Sequence, residues 1–172
     1  MVLRIDDFRG DWRISRRISD HLTGHDLRFE GAAILTPVDG GLSYLESGTL
    51  TVPGQRPMQG ERRYLWTFDG PSVSVCFDDG RFFHDFRLDG QSPQADHFCD
   101  PDEYHVDYAF ADWPVWRAVW TVHGPRKNYR SETVYSRRAP VWLDSRPETL
   151  TPSRPASLCI SAKGLQNCIC RI

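Results

Sequence analysis

The sequence predicts an all-β protein, an antiparallel sheet that runs up and down and closes into a barrel after one short helical turn. Three observations carry this. From Trp12 to Arg138 the chain is a succession of short segments with period-two alternation of apolar and polar residues. Gly, Pro and Asp break those segments so often that no room is left for the crossover helices parallel strands require. No internal stretch holds a 3.6-residue apolar stripe, and only "LRIDDFRG" before Trp12 reads as a helical turn.

Taken in order, the segments give one consistent inner face. Trp12, Ile14, Arg16 and Ile18 alternate with Arg13, Ser15 and Arg17. "LRFEGAAIL" puts Leu27, Phe29, Gly31, Ala33 and Leu35 on one side, with small residues midway. "LSYLESGTL" presents Tyr44, Glu46, Gly48 and Leu50, and after the Pro/Gly loop "VPGQRPMQG" the segment "ERRYLWTF" presents Arg62, Tyr64, Trp66 and Phe68. "SVSVCF" follows with Val73, Val75 and Phe77, and "DDG" at 78–80 is a tight-hairpin signal. "RFFHDFRL" aligns Phe82, His84, Phe86 and Leu88. After the loop "DGQSPQAD", Tyr104, Val106, Tyr108 and Phe110 alternate with Glu103, His105 and Asp107. Trp116, Ala118, Trp120 and Val122 come next, then Tyr129, Ser131, Thr133, Tyr135 and Arg137. This is a meander of about nine or ten strands, and closure removes its exposed edges.

Length and composition agree with one domain. The chain has 172 residues, 40% of them hydrophobic, enough for one core. Aromatic residues make up 12%, with 6 Trp, and suit strands. Lys and Arg number 21 against 23 Asp and Glu, so no basic surplus points to nucleic acid or an acidic membrane. "MVLRIDDFRGDW" has no apolar run of signal-peptide length, and no stretch nears the roughly 20 apolar residues of a membrane helix. Five cysteines, at 76, 99, 159, 168 and 170, are odd in number and do not form a secreted disulfide framework. These features lead us to expect a soluble, cytoplasmic protein. The domain is expected over 1–138, and 139–172, rich in Pro and Ser without alternation, as a poorly ordered tail.

"GDW" at 10–12, entering the first strand from a helical turn, resembles the Gly-x-Trp opening of lipocalin-like (calycin) barrels. The resemblance implies that an arginine of the last strand packs across Trp12 and closes the barrel; Arg137 matches, with Arg126 second. The ordered set "LSYLESG", "ERRYLW", "DDGRFFHDF", "HFCDPDEY" and "HGPRKNY" is similar to an uncharacterised domain family of lipocalin-like fold, over about residues 8–138. It implies the fold and no activity, and the tail lies outside it.

Candidate chemistry comes from three groups of residues. His84, His97, Cys99, Asp100, Asp102 and His105 include zinc and iron donors, but without Cys-x-x-Cys or His-x-x-x-His spacing, and period two splits them between faces. No metal site is expected; "HFCDPDEYH" reads as a loop rich in Asx turns. No nucleophile elbow, phosphate loop or dinucleotide fingerprint is present. The second group is the inner-face charges Arg16, Glu46, Arg62, His84 and Arg137, costly unless paired or wet. A structural reading pairs Glu46 with Arg62 across their hairpin, stacks Arg137 on Trp12 and leaves Arg16 to tyrosine hydroxyls or carbonyls. A functional reading makes a cationic pocket lined by Tyr44, Tyr64, Trp66, Phe82 and Tyr135. The third group, Arg126 and Lys127 in "HGPRKNY", is a basic turn, and a cationic rim if the mouth lies there. Lys127 reads first as solvated; acids of the 100–103 loop are its possible partners.

The expected function is therefore binding of one small hydrophobic or aromatic anionic molecule inside the barrel, with Arg16, Arg62, Glu46 and His84 as polar contacts. The rivals are an enzyme with His84 as general acid/base, aided by Glu46 or Tyr44, and a barrel holding haem on His84. No cofactor is otherwise called for.

Overall fold

The structure, a computed structural model, describes residues 3–90 and 92–138. A 3-10 turn at Ile5–Phe8 leads into ten antiparallel strands. They are β1 (Gly10–Asp20), β2 (His25–Val38), β3 (Gly41–Thr51), β4 (Met58–Asp69) and β5 (Ser72–Phe77), then β6 (Phe82–Arg87), β7 (Gln94–Cys99), β8 (Asp102–Ala109), β9 (Trp116–Gly124) and β10 (Lys127–Arg137). The ladder order is β6-β5-β4-β3-β2-β1-β10-β9-β8-β7, a meander in which the first and last strands pair. The sheet curls into a nearly closed barrel whose seam lies between its two ends, β6 and β7, which share no ladder. Across that seam the rings of Phe83 and His97 meet at 4.9 Å. Residues 139–172, expected as a poorly ordered tail, lie outside the described residues.

Alternation in the sequence accounts for nine of these strands. The tenth, β7, lies in the stretch read as loop, and "HFCDPDEYH" is two strands joined through a cis peptide at Asp100–Pro101. Its inward residues are Ala95, His97 and Cys99, too small and polar to raise an apolar alternation.

One end of the barrel, here called lower, is packed solid. Phe8 is fully buried and touches Trp66, Phe110, Trp113 and Trp116 at ring-centroid distances of 4.9–5.6 Å. Trp12, also fully buried, donates from Nε1 to the Phe8 carbonyl at 2.7 Å. Arg137 lies over the Trp12 ring, 4.0 Å from its centroid, and donates to the backbone carbonyls of Arg9 and Asp7. It ties the entering turn to the last strand.

Towards the upper end, inward residues on several strands are only half-buried: Leu27, Leu50, Arg62, Tyr64, Phe77 and Trp120. Here the inner wall is also lined by small residues, with Gly31 opposite Gly48 and Gly48 opposite Gly60. A Cβ on Gly48 would lie 2.4 Å from the Glu30 carbonyl oxygen and 2.7 Å from the Phe29 ring, which covers this glycine row. Gly48→Ala is therefore expected to lower stability by about 1–3 kcal/mol, through forced backbone shifts, measured as a lower urea midpoint. An unchanged midpoint would show that the wall tolerates the methyl.

Candidate functional site

Four strands deliver one buried polar cluster. Glu46 of β3 stands directly opposite Arg62 of β4, and Arg16 of β1 opposite Thr133 of β10. β2 separates β1 from β3, yet its inward residues between these groups are Gly31 and Ala33. They are small enough for Arg16 to reach over a whole strand. Its two terminal nitrogens grip Glu46 Oε1 and Oε2, each at 2.7 Å, and its Nε donates to Thr133 Oγ1 at 2.7 Å. Arg62 Nε donates to the same Glu46 Oε1 at 2.8 Å. The Tyr44 hydroxyl donates to Glu46 Oε2 at 2.6 Å and lies 3.2 Å from the Tyr135 hydroxyl.

Arg16 is thus satisfied by a carboxylate and a threonine, not by tyrosine hydroxyls or carbonyls, and Phe29 lies 5.2 Å beneath its guanidinium. A fork-to-fork pair with every carboxylate oxygen doubly bonded is the geometry that makes a buried ion pair tolerable. Burial works to raise the Glu46 pKa, but Arg62, Arg16 and their hydrogen bonds outweigh it and hold the carboxyl at about 2. Burial works to lower Arg62, and Glu46 outweighs that as well. Tyr44 and Tyr135 are pushed up by burial and then by Glu46, and stay protonated. Two guanidiniums against one carboxylate leave one positive charge. Access to it is unequal: the Arg62 side chain is 19% exposed, against 5% for Arg16 and 2% for Glu46.

The other sequence-predicted residues fall into distinct places. Tyr64, its ring centroid 5.7 Å from that of Tyr44, lines the upper half. Trp66 stacks on Tyr44 at 6.0 Å but belongs to the aromatic floor, and Tyr135 stacks on Trp116 at 3.6 Å and 1°. Phe82 is not on the inner face. It is 56% exposed, because the β5–β6 register shifts between Val75 and Cys76, and Phe83 faces inward in its stead. His84 is buried as expected, but its partner is the Tyr108 hydroxyl, 2.8 Å from Nε2, and not Glu46 or Tyr44. Burial, with a smaller push from His97, lowers its pKa to about 3, so it is neutral near pH 7.

Lys127 is not a solvated turn residue. Its Nζ lies 2.8 Å from Asp102 Oδ2 and 2.6 Å from the Tyr104 hydroxyl. Glycine at 124 makes room for Asp102, whose Oδ1 would lie 2.0 Å from a Cβ there. Arg126 is exposed in the adjoining turn. His105 bonds Asp96 at 2.6 Å on the outside of the sheet. Among the described residues no group of three or more His, Cys, Asp or Glu is placed to hold a metal ion, and no helix is long and apolar enough to cross a membrane. A cleft of about 450 Å³ lies on the outer side of the seam, bordered by Asp85, Arg87, Asp89 and Asp96. Its acidic border does not suit an anion.

Thr133, Tyr108 and Phe83 are the site residues that sequence reasoning passed over. The first two lay on predicted inner faces, where alternation says which way a side chain points but not what it meets. Phe83 needed the bulge, whose one sign in sequence is the adjacent "FFH" after a tight turn.

A phycobiliprotein lyase of S type from Guillardia theta has a similar fold, with a TM-score of 0.58 over 79% of this chain and 91% of that one, at 12% sequence identity. At that identity the likeness is one of fold. No curated protein gives a significant match. A family model does, over residues 8–137, covering the barrel from the end of the 3-10 turn to the closing arginine. The chain belongs to that family, a family of unknown function (DUF6314).

Proposed function

We propose that the upper half of the barrel binds one small hydrophobic or aromatic anionic molecule and that Arg62 meets its negative charge. One observation carries this reading: Arg62 is the solvent-reached member of a buried cluster that retains one positive charge. A purely structural ion pair is balanced, and a surplus guanidinium edging into an aromatic-walled space is a ready carboxylate receptor. Tyr64, Phe77 and Trp120, all half-buried, supply the apolar wall, while the packed lower half confines a ligand to the upper end.

The low pKa of His84 favours binding over acid–base catalysis by this residue, because a group protonated only near pH 3 carries little charge at neutrality. Haem on His84 would have to displace the Tyr108 hydroxyl from Nε2; an anion on Arg62 leaves that bond in place. A Soret band in the purified protein would reverse that preference. Native mass spectrometry of the protein as purified is expected to show a co-purifying anionic small molecule. In titration calorimetry with 2-naphthoate, Arg62→Met is expected to weaken binding about 10- to 100-fold, as for loss of a charged hydrogen bond. Equal affinity in the variant would refute the assignment.

A further inference from the structure

Two consecutive residues of β6, Phe83 and His84, are buried in the interior, because the β5–β6 ladder slips between Val75 and Cys76. Phe83 is the extra residue of this bulge. A bulge gives up ladder bonds and re-aims a side chain, so the place of that side chain bears on function. The Phe83 ring lies between two nearly parallel rings: Tyr64 of β4 at 5.7 Å and 13°, and Trp120 of β9 at 5.2 Å and 4°. Tyr64 and Trp120 are half-buried, and Phe83 between them is 5% exposed.

Polar groups border this stack on two sides. Tyr64 lies two residues from Arg62, the reachable cation of the cluster, on the inner face of β4. His84 stands edge-to-face against Phe83 at 4.6 Å and against Trp120 at 5.1 Å, and its Nδ1 has no hydrogen-bond partner among the described residues. Its tautomer follows from counting satisfied groups. If the Tyr108 hydroxyl donates to Nε2, the imidazole proton sits on Nδ1 and one donor is unused. The reverse leaves Nδ1 as an unused acceptor and the Tyr108 proton unused as well. We therefore assign the proton to Nδ1, which makes it a donor seeking an acceptor.

We propose that Tyr64 and Trp120 are the two walls of a slot for a planar aromatic carboxylate, and that the Phe83 ring occupies the place the ligand's ring takes. The proposal rests on the reading of the barrel as an anion site and adds the ligand's shape. Its ring stacks between Tyr64 and Trp120, its carboxylate meets Arg62, and an acceptor such as a carbonyl oxygen or ring nitrogen meets the His84 Nδ1–H. Phe83 yields by swinging its ring out of the stack while the ladder stays as it is, which an end strand paired with β5 alone leaves room for on its open side.

The test is calorimetric titration of 2-naphthoate into the full chain and its Phe83→Ala, Phe83→Leu and Phe83→Ala/Trp120→Leu variants. Phe83→Ala is expected to bind about tenfold more tightly, since the ligand no longer displaces a stacked ring, and removal of Trp120 is expected to abolish the gain. Where Phe83→Ala fails to fold, Phe83→Leu decides, because it keeps most of the volume but not the ring; its affinity should also exceed that of the native chain. Unchanged or weaker binding in folded Phe83 variants, with dependence on Arg62 retained, overturns the slot and leaves the anion site standing. Binding that is absent throughout, or indifferent to Arg62, overturns both. A crystal structure of the complex with the naphthyl ring outside the Tyr64–Trp120 pair likewise overturns the slot.

Discussion

Replacing Glu46 by alanine is expected to destabilise the barrel by about 3–5 kcal/mol, the loss seen when one partner of a buried ion pair is removed. The variant would leave the Arg16 and Arg62 guanidiniums in the same interior with no counter-charge, Arg16 almost wholly out of reach of water. Urea unfolding at pH 7 measures the effect, and a midpoint equal to that of the native chain would show that the cluster does not hold the fold together. The companion variant Arg16→Met/Glu46→Leu/Arg62→Met is expected to recover most of the loss, because well-packed apolar replacements of a buried ionic triad are often neutral. It should fold and yet fail to bind 2-naphthoate. That pair of results separates a charge cluster kept for a ligand from one kept for stability. Glu46 adds an acid dependence of its own. Its folded carboxyl sits near 2 against an ordinary value of 4.5, so its roughly 3 kcal/mol contribution is present above pH 4.5 and is lost as pH falls towards 2.

His84 sets the larger and earlier acid dependence. Folded, it takes up its proton near pH 3; unfolded, near the ordinary 6.5. Between those values the unfolded chain binds a proton that the folded chain refuses, so stability falls with falling pH by about 1.4 kcal/mol per pH unit. Stability is whole above pH 6.5 and reduced by roughly 5 kcal/mol near pH 3. Burial also lowers His97, which adds the same sign, whereas His105, raised by its bond to Asp96, works against it. Urea midpoints measured from pH 7 to pH 5 are expected to drop steeply for the native chain and much less for His84→Leu. A slope that survives the substitution would place the acid sensitivity elsewhere. The Leu variant also strands the Tyr108 hydroxyl, so its stability at pH 7 should lie about 1–3 kcal/mol below native.

Much of this was legible because a strand tells each side chain which way to point. Arg16, Tyr44, Glu46, Arg62, Tyr64 and Tyr135 all lay on predicted inner faces, and all face the interior. The Glu46–Arg62 pair could also be read, since both residues flank one Pro/Gly loop and a hairpin sets them opposite each other. The Arg137–Trp12 contact came from the family resemblance rather than from any local pattern. Misreadings cluster where a local rule is broken. The bulge at Val75/Cys76 moved Phe82 outside, and β7 hid in a polar stretch with two prolines near its ends. Lys127 looked solvated because its partner Asp102 is 25 positions away and arrives beside it only once β8 pairs with β9.

The sequence by itself determined the strand count to within one, the face of nearly every inward residue and the presence of unbalanced charge inside. Those follow from a two-residue period, which each segment expresses without reference to the others. Tertiary structure decided which inward groups meet. Arg16 reaches Glu46 over a strand of Gly31 and Ala33, and Phe83 slides between Tyr64 and Trp120 from a strand adjacent to neither β4 nor β9. Such meetings depend on register and curvature summed around the barrel. No single segment encodes that sum.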